Sequence, residues 1–277
     1  MAAGATWIAA ALRPWLQIRF NSDSSLLVED LLLCIVLITA VGVIASLFHL
    51  GTPVEAWRSL ANLRTSWLSR EILFTMLFGA AGVICAGLYQ FNIVNAALRS
   101  LAVWGAAILG VLMVYSMGRV YLLHTVDAWN SPATLLSFFA AALLLGSLAA
   151  GVMITVTYLT TPDPCFSGLC ALPSDILSGV GLLILFSLGL EIFAAALWNS
   201  QTDKTEEQKW LERAALIRLA LLLVGAGGGG ILLYRSAFIP TTDEALFWIA
   251  LSAWGLCLAG EIIGRIQFYR SRERKGM

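Results

Sequence analysis

Histidine, cysteine and charge are all scarce in this chain of 277 residues. It has two histidines and five cysteines, and no cysteine stands in Cys-X-X-Cys or Cys/His spacing. Zinc and iron–sulfur centres need several closely set thiolate or imidazole ligands, so the spacing argues against either being built from this chain alone. Charged residues make up 12% of the sequence, against roughly 25% in soluble proteins. Lys plus Arg and Asp plus Glu number 17 each, for a formal net charge of +0. With no basic excess to hold a polyanion, no nucleic-acid partner is expected. The longest polar stretches are NSQTDKTEEQKWLERAA (199–215) and the tail YRSRERKGM, and neither can bury a core of its own. The glycine run GAGGGG (225–230) is followed by no Gly-Lys-Ser/Thr, which excludes a phosphate-binding loop.

Apolar residues are abundant: 59% of the chain is hydrophobic and the mean hydropathy is +0.84. A bilayer core takes about 20 apolar residues per helix. Runs of that kind lie near 26–50, 68–90, 98–122, 133–158, 175–198, 215–234 and 245–268. The fold class expected is an all-α integral membrane bundle of seven transmembrane helices, in contact with a lipid bilayer. Residues 26–270 form the transmembrane domain and 271–277 a basic C-terminal tail. Segment 1–25 is interrupted by Arg13 and Pro14 after a short apolar run, and is expected as an interfacial arm or a truncated first helix. The glycines at 225–230 fit close helix packing better than a hinge.

Alternating the loops across the membrane puts Arg13, Arg19, Arg99 and Arg235 at one end of the bundle, end A. Arg58, Arg64, Arg70, Lys204, Lys209, Arg213 and the basic tail fall at the other, end B. The positive-inside rule makes end B cytoplasmic. The end-A loop TPDPCFSGLCALP has no Lys or Arg, and its Cys165 and Cys170 are either a disulfide or two thiols. Cys34, Cys85 and Cys257 lie in apolar runs and read as small hydrophobes.

Ionisable groups within spans are costly and therefore candidates for function. His49, Glu71, Arg119, His124, Glu191, Glu261 and Arg265 all fall in the half of the membrane nearer end B. Glu261 and Arg265, at i and i+4, are expected to form a structural ion pair. Glu191 has no local partner, and is read as a neutral carboxyl bonded across helices or as a functional acid. The stretch SLFHLGTPVEAWRSLANLRTSWLSREI (46–72) places His49 at the end of one run and Glu71 at the start of the next. An imidazole that accepts a hydrogen bond from a ring hydroxyl, beside a carboxylate that carries a proton onward, suits quinol oxidation. Gly51 and Pro53 end the helix after His49 and turn the chain back. Two other readings compete: a cytochrome b type quinone subunit with haem held by His49 and His124, and a small-molecule or ion transporter using its buried carboxylates.

The same stretch resembles the DMSO reductase membrane-anchor subunit family (DmsC-like), which has a His-Leu-Gly-Ser/Thr-Pro motif followed by a Ser-X-Glu-Ile helix start. RVY with TVDAW downstream (119–129), Gly189-Leu190-Glu191, and LAGEIIGR with FY after it (258–269) are similar to the same family in the same order. The resemblance implies an anchor of a three-subunit molybdoenzyme in the bacterial cytoplasmic (inner) membrane, without haem or an iron–sulfur cluster of its own. Menaquinol is the implied substrate; the implied partners are an iron–sulfur electron-transfer subunit and a molybdopterin catalytic subunit. His49 and Glu71 fall on the family's catalytic positions, and Gly51, Trp57 and Ser59 on quinol-binding loop positions. Glu55 stands where an arginine is common, and Arg58, one helical turn on, is the substitute. Family members usually have eight spans, and their docking face is generally taken as extracytoplasmic, contrary to the arginine count.

Overall fold

A backbone in hydrocarbon has to satisfy its own hydrogen bonds, and a helix does so within one segment. The computed structural model describes residues 1–20, 25–48, 58, 60–123, 126, 129–160, 172–199, 208–239 and 241–270. Among them the long elements are all helices: α1 (Ala2–Phe20), α2 (Ser25–Phe48), α3 (Trp67–Gln90), α4 (Ala96–Tyr121), α5 (Pro132–Thr160), α6 (Leu172–Asn199), α7 (Gln208–Leu222), α8 (Gly229–Arg235) and α9 (Asp243–Arg270). A π-helical turn, Leu223–Gly228, joins α7 to α8. Seven segments are long and apolar enough to cross a membrane: Leu27–Ser46, Trp67–Gln90, Ala96–Tyr121, Pro132–Thr160, Asp175–Trp198, Arg213–Arg235 and Asp243–Arg270. The chain is thus an all-α, multi-pass membrane protein. Helix starts carry local caps: the Ser66 side chain accepts from the Ser69 amide before α3, and Asn95 accepts from the Leu98 amide before α4.

Lipid tails give apolar helices no reason to leave them for one another, so association depends on close packing. The most buried span is α5, with 72% of its apolar window inside the protein against 28–39% for the other six. Its middle reads AAALLLGSLAAG, and these small side chains let neighbours approach on several sides. One buried cluster joins α5 to α6, α7, α8 and α9, with Leu12 of α1 and Leu27 of α2 reaching into it. The other joins it to α1, α2, α3 and α4.

Segment 1–25, read from the sequence as an interfacial arm or a truncated first helix, begins as a helix inside the second cluster. Ala3 and Ala5 are 1% exposed and Ala9 is 0% exposed. Backbone meets backbone where α1 crosses α5: a Cβ on Gly146 would lie 2.5 Å from the Ala5 nitrogen, and one on Gly4 would lie 2.0 Å from the Ala142 oxygen. Trp7 Nε1 ties the same segment to α4 by donating to the Ala107 carbonyl at 3.1 Å. The run Ala2–Leu12 is too short to span, but its alanines and glycine suit it to insertion between longer helices.

On the other side of α5, α7–α8 runs antiparallel to α9 in a regular seam. Going along it, Arg218 meets Gly264, Leu222 meets Gly260, Gly225 meets Cys257 and Gly229 meets Ala253. The alternating steps of four and three residues on both helices keep one face of each toward the other. GAGGGG contributes Gly225 and Gly229 to this packing, where added Cβ atoms would come within 2.8 Å of Cys257 Sγ and 2.5 Å of Ala253 Cβ.

Replacing Gly146 by Ala is expected to destabilise the bundle by about 1–3 kcal/mol through overpacking at the α1–α5 crossing. Gly179, on α6, has no atom within 4 Å of the added Cβ, so Gly179→Ala serves as the control. Thermal melts in detergent check the pair: Gly146→Ala should melt lower and Gly179→Ala as wild type.

Candidate functional site

The B end of the bundle collects the first turns of α3, the last turn of α4, the start of α5 and the last turns of α9. Aromatic rings and guanidinium groups dominate it. On α3, the Trp67 ring has the Arg70 guanidinium carbon 4.3 Å from its centroid and that of Arg119 (α4) at 4.7 Å. Tyr115 packs edge-on to Trp67 at 5.8 Å. Arg70 also donates through Nε to the Leu63 carbonyl at 2.9 Å and through Nη2 to the Arg64 carbonyl at 2.8 Å. It thereby ties the end of the 58–66 segment to α3. Aromatic faces attract cations, and the attraction strengthens where water is excluded.

Tyr121, at the end of α4, is the hub of a second group. It packs against Trp129, Phe138, Phe268 and Tyr269, with ring centroids 5.4–5.9 Å away. Its hydroxyl lies 2.9 Å from that of Tyr269. Trp129 stacks on Phe268 at 5.1 Å and donates through Nε1 to the Phe268 carbonyl at 2.9 Å. These contacts fasten Tyr121 and Trp129 to α9.

Glu71 enters this end on the first turns of α3. It is half-buried and forms no ion pair with any described residue. Its charge and that of Arg265 both act on the Tyr121 hydroxyl. Arg265 itself sits with its guanidinium carbon 3.9 Å from the centroid of the Phe138 ring. The structure therefore brings Glu71, Arg119, Tyr121 and Arg265 to one end of the bundle. Arg58 is exposed. His49, Gly51, Trp57, Ser59 and His124, with Glu55, Cys165 and Cys170, lie outside the described residues.

The ion pair expected between Glu261 and Arg265 is corrected by the structure. Glu261 pairs with Arg218 of α7, whose Nη2 lies 3.0 Å from Glu261 Oε1 and 2.7 Å from Glu191 Oε2. One guanidinium nitrogen thus joins carboxylates from α6 and α9. Helical spacing permits Glu261 and Arg265 to meet, but Phe138 takes the Arg265 guanidinium, and the α7–α9 seam delivers a closer cation. Room for that cation comes from Gly264, where a Cβ would lie 2.6 Å from Arg218 Nε. Gly260 and Gly264 form a Gly-X-X-X-Gly pair on α9, a spacing that admits a neighbouring helix.

Glu191, which lacked a local partner in the sequence, thus has one across the helices. It is 1% exposed and Glu261 5%. Arg218 was the residue missed. In ALIRLALLL it lies only three residues inside the run starting at 215, where arginines ordinarily reach back to water. The available signal was the pairing of a cation inside one apolar run with carboxylates inside two others.

Comparisons with known proteins bear on the bundle as a whole. A family model described as "DMSO reductase anchor subunit (DmsC)" matches residues 4–270. The sequence is 29% identical over 269 residues to the YnfH polypeptide of an anaerobic dimethyl sulfoxide reductase from Escherichia coli (strain K12), covering 95% of this protein and 88% of that one. It is 28% identical over 247 residues to a second anaerobic dimethyl sulfoxide reductase polypeptide of the same organism, covering 86% and 79%. A shorter similarity, 32% over 154 residues, links it to one polypeptide of a sulfite dehydrogenase from Allochromatium vinosum, covering 50% of this protein and 44% of that one. No solved structure matches it significantly.

The corrected pairing changes what mutations should do. Arg218→Met strands two buried carboxylates and is expected to cost about 3–5 kcal/mol. Arg265→Met removes a contact with an aromatic face and should cost about 0.5–2 kcal/mol. Denaturation of the two variants in the same detergent measures the difference, and the order reverses if Arg265 is the partner of Glu261.

Proposed function

The chain belongs to the DMSO reductase anchor subunit family, and from that premise we propose that it oxidises menaquinol and hands the electrons to an iron–sulfur subunit. That subunit in turn serves a molybdopterin catalytic subunit, and the whole complex is held at the bacterial cytoplasmic membrane by this chain. The observation that carries the reading is the position of Glu71. It is a half-buried carboxyl at one end of the bundle, among aromatic side chains and without an ion-pair partner among the described residues.

Quinol chemistry asks two things of such a place. The ring hydroxyls each lose a proton as two electrons leave, so the site needs a hydrogen-bond acceptor and a proton route to water. His49, at the end of the first span, is the acceptor in this reading. Glu71, at the start of the next, takes the proton onward. Antiparallel neighbours joined by a short connection bring the end of one and the start of the other to the same side of the membrane, and α2 packs on α3. Gly51, Trp57, Arg58 and Ser59 fall between them in the sequence and are the further quinol-binding positions of this reading. Arg119 and the rings of Trp67 and Tyr121 provide flat apolar and cationic surfaces suited to a quinone ring with partly negative oxygens. Electrons leave toward a cluster held by the partner just outside the same end, so the redox centres belong to the partners and quinol is this chain's substrate.

Glu71→Gln should lower quinol-dependent acceptor reduction in the assembled complex by roughly 10²–10⁴-fold, the usual worth of a general base. Reduction driven by a water-soluble artificial donor, which bypasses the anchor, should stay unchanged. His49→Arg should behave alike and also weaken binding of a quinol-analogue inhibitor. Loss of both activities, or of neither, counts against the assignment.

Docking of the iron–sulfur subunit is expected at end B. Photocrosslinkers at Arg58, Asn62 and Arg64 should capture it, and crosslinkers at Thr160 and Asp175 on the opposite end should not. Capture from the second set alone overturns the placement.

A further inference from the structure

The quinol reading leaves the deepest ionisable group of the protein unused. Glu191 of α6, Arg218 of α7 and Glu261 of α9 meet through one guanidinium nitrogen, at 2.7 and 3.0 Å. Glu191 lies eight residues before the end of α6 and Glu261 nine before the end of α9. At 1.5 Å per residue, that is about 12–14 Å in from end B, well inside a hydrocarbon layer of ~30 Å.

Charge at that depth has to balance. With both carboxyls ionised, the trio carries one negative charge more than its cation neutralises. A proton on either acid makes it neutral and keeps a charge-assisted bond to Arg218. Two like acids at one cation cannot both stay ionised cheaply, so one proton can serve the pair. A second observation points to occupancy by something beyond the three side chains. Glu191 is 1% exposed, yet its Oε1 has no hydrogen-bond partner, and Nε of Arg218 in the same cluster has none either.

Among the described residues, no other cation forms an ion pair with either acid. On α9, Cys257 lies within electrostatic reach of Glu261. Arg265 acts on Glu191 from a distance, but its guanidinium is seated on the Phe138 ring and bonds to neither acid. The amino group of Met1, just before α1, feels both Glu261 and Arg265, and burial lowers its pKa to about 6, so it supplies little positive charge at neutral pH. On α5 the one titratable side chain is Tyr158, in its last turn at end A. On α8, Tyr234 and Arg235 lie at end A as well. The π-helical turn has no titratable side chain.

The face of α9 that carries Glu261 continues outward to end B. Glu261, Arg265 and Tyr269 follow one another at four-residue steps and so lie along one face of α9. Tyr269 is 48% exposed and its hydroxyl meets that of Tyr121 at 2.9 Å, where either can donate. Arg218 is itself 17% exposed, so the cluster is not sealed.

We propose that Glu191, Glu261 and Arg218 form a buried proton-holding site that binds one exchangeable proton and trades it with end B along the Glu261–Arg265–Tyr269 face of α9. Uptake makes an O–H bond on one carboxylate at the expense of hydronium at end B, and release returns it there. No electron is involved, so the site stands whether or not Glu71 serves a quinol.

Infrared difference spectra of the purified full chain in lipid, titrated across the neutral range in H2O and D2O, test it. The wild type should show one protonated carboxyl per chain whose carbonyl band fades as pH rises and shifts on deuteration. Glu191→Gln should lose that band, Glu71→Gln should keep it, and Arg218→Gln should show two such carboxyls in place of one. Tyr269→Phe should keep the band and slow its deuterium exchange. The proposal is overturned if the wild type shows no titrating carboxyl beyond one lost in Glu71→Gln, a result that needs no other variant to fold. A band that survives both Glu191→Gln and Glu261→Gln overturns it as well.

Discussion

Backbone contact between α1 and α5, at Gly4 and Gly146, and the matching contacts between α7–α8 and α9 set the geometry on which everything else rests. In water, burial of apolar area would hold these helices together. In lipid that drive is absent, and what remains is how closely the backbones can approach and which polar groups they bring into reach. Small residues at the crossings decide both. A larger side chain at Gly264 would displace the guanidinium of Arg218, and with it the cation that Glu191 and Glu261 share.

The bundle is built in two halves around α5. One half, with α1 to α4, carries Glu71 and the Trp67–Arg70–Arg119 group at its B end. The other, with α6 to α9, carries the buried trio. The Tyr121–Tyr269 contact and the Trp129–Phe268 stack join the halves at end B. The half-buried acid of one half and the deep acids of the other thus lie on either side of that tyrosine pair.

Much of the architecture was legible in the residues. Seven apolar runs of spanning length required seven helices, because no other spanning structure of that composition satisfies its backbone in hydrocarbon. The scarcity of polar stretches excluded a soluble domain. His49 and Glu71 stood out by their placement at the ends of adjoining runs, a feature of local sequence. The four stretches similar to the DMSO reductase anchor subunits identified the family that the comparison over residues 4–270 then established.

Partnership among residues distant in sequence was not legible. Spacing along α9 offered Arg265 to Glu261, and nothing local to the chain shows that Phe138 of α5 holds Arg265 while Arg218 of α7 reaches across Gly264. The same holds for Ala2–Leu12, whose length leaves an interfacial arm or a truncated helix open and does not show that it packs against α5. Periodicity and hydropathy record how each segment meets its solvent, and the bilayer enforces that record segment by segment. Which helix lies beside which depends on steric fit between surfaces far apart in the chain, so the seven spans were determined by the sequence read alone and the pairing of their buried charges only by the packed bundle.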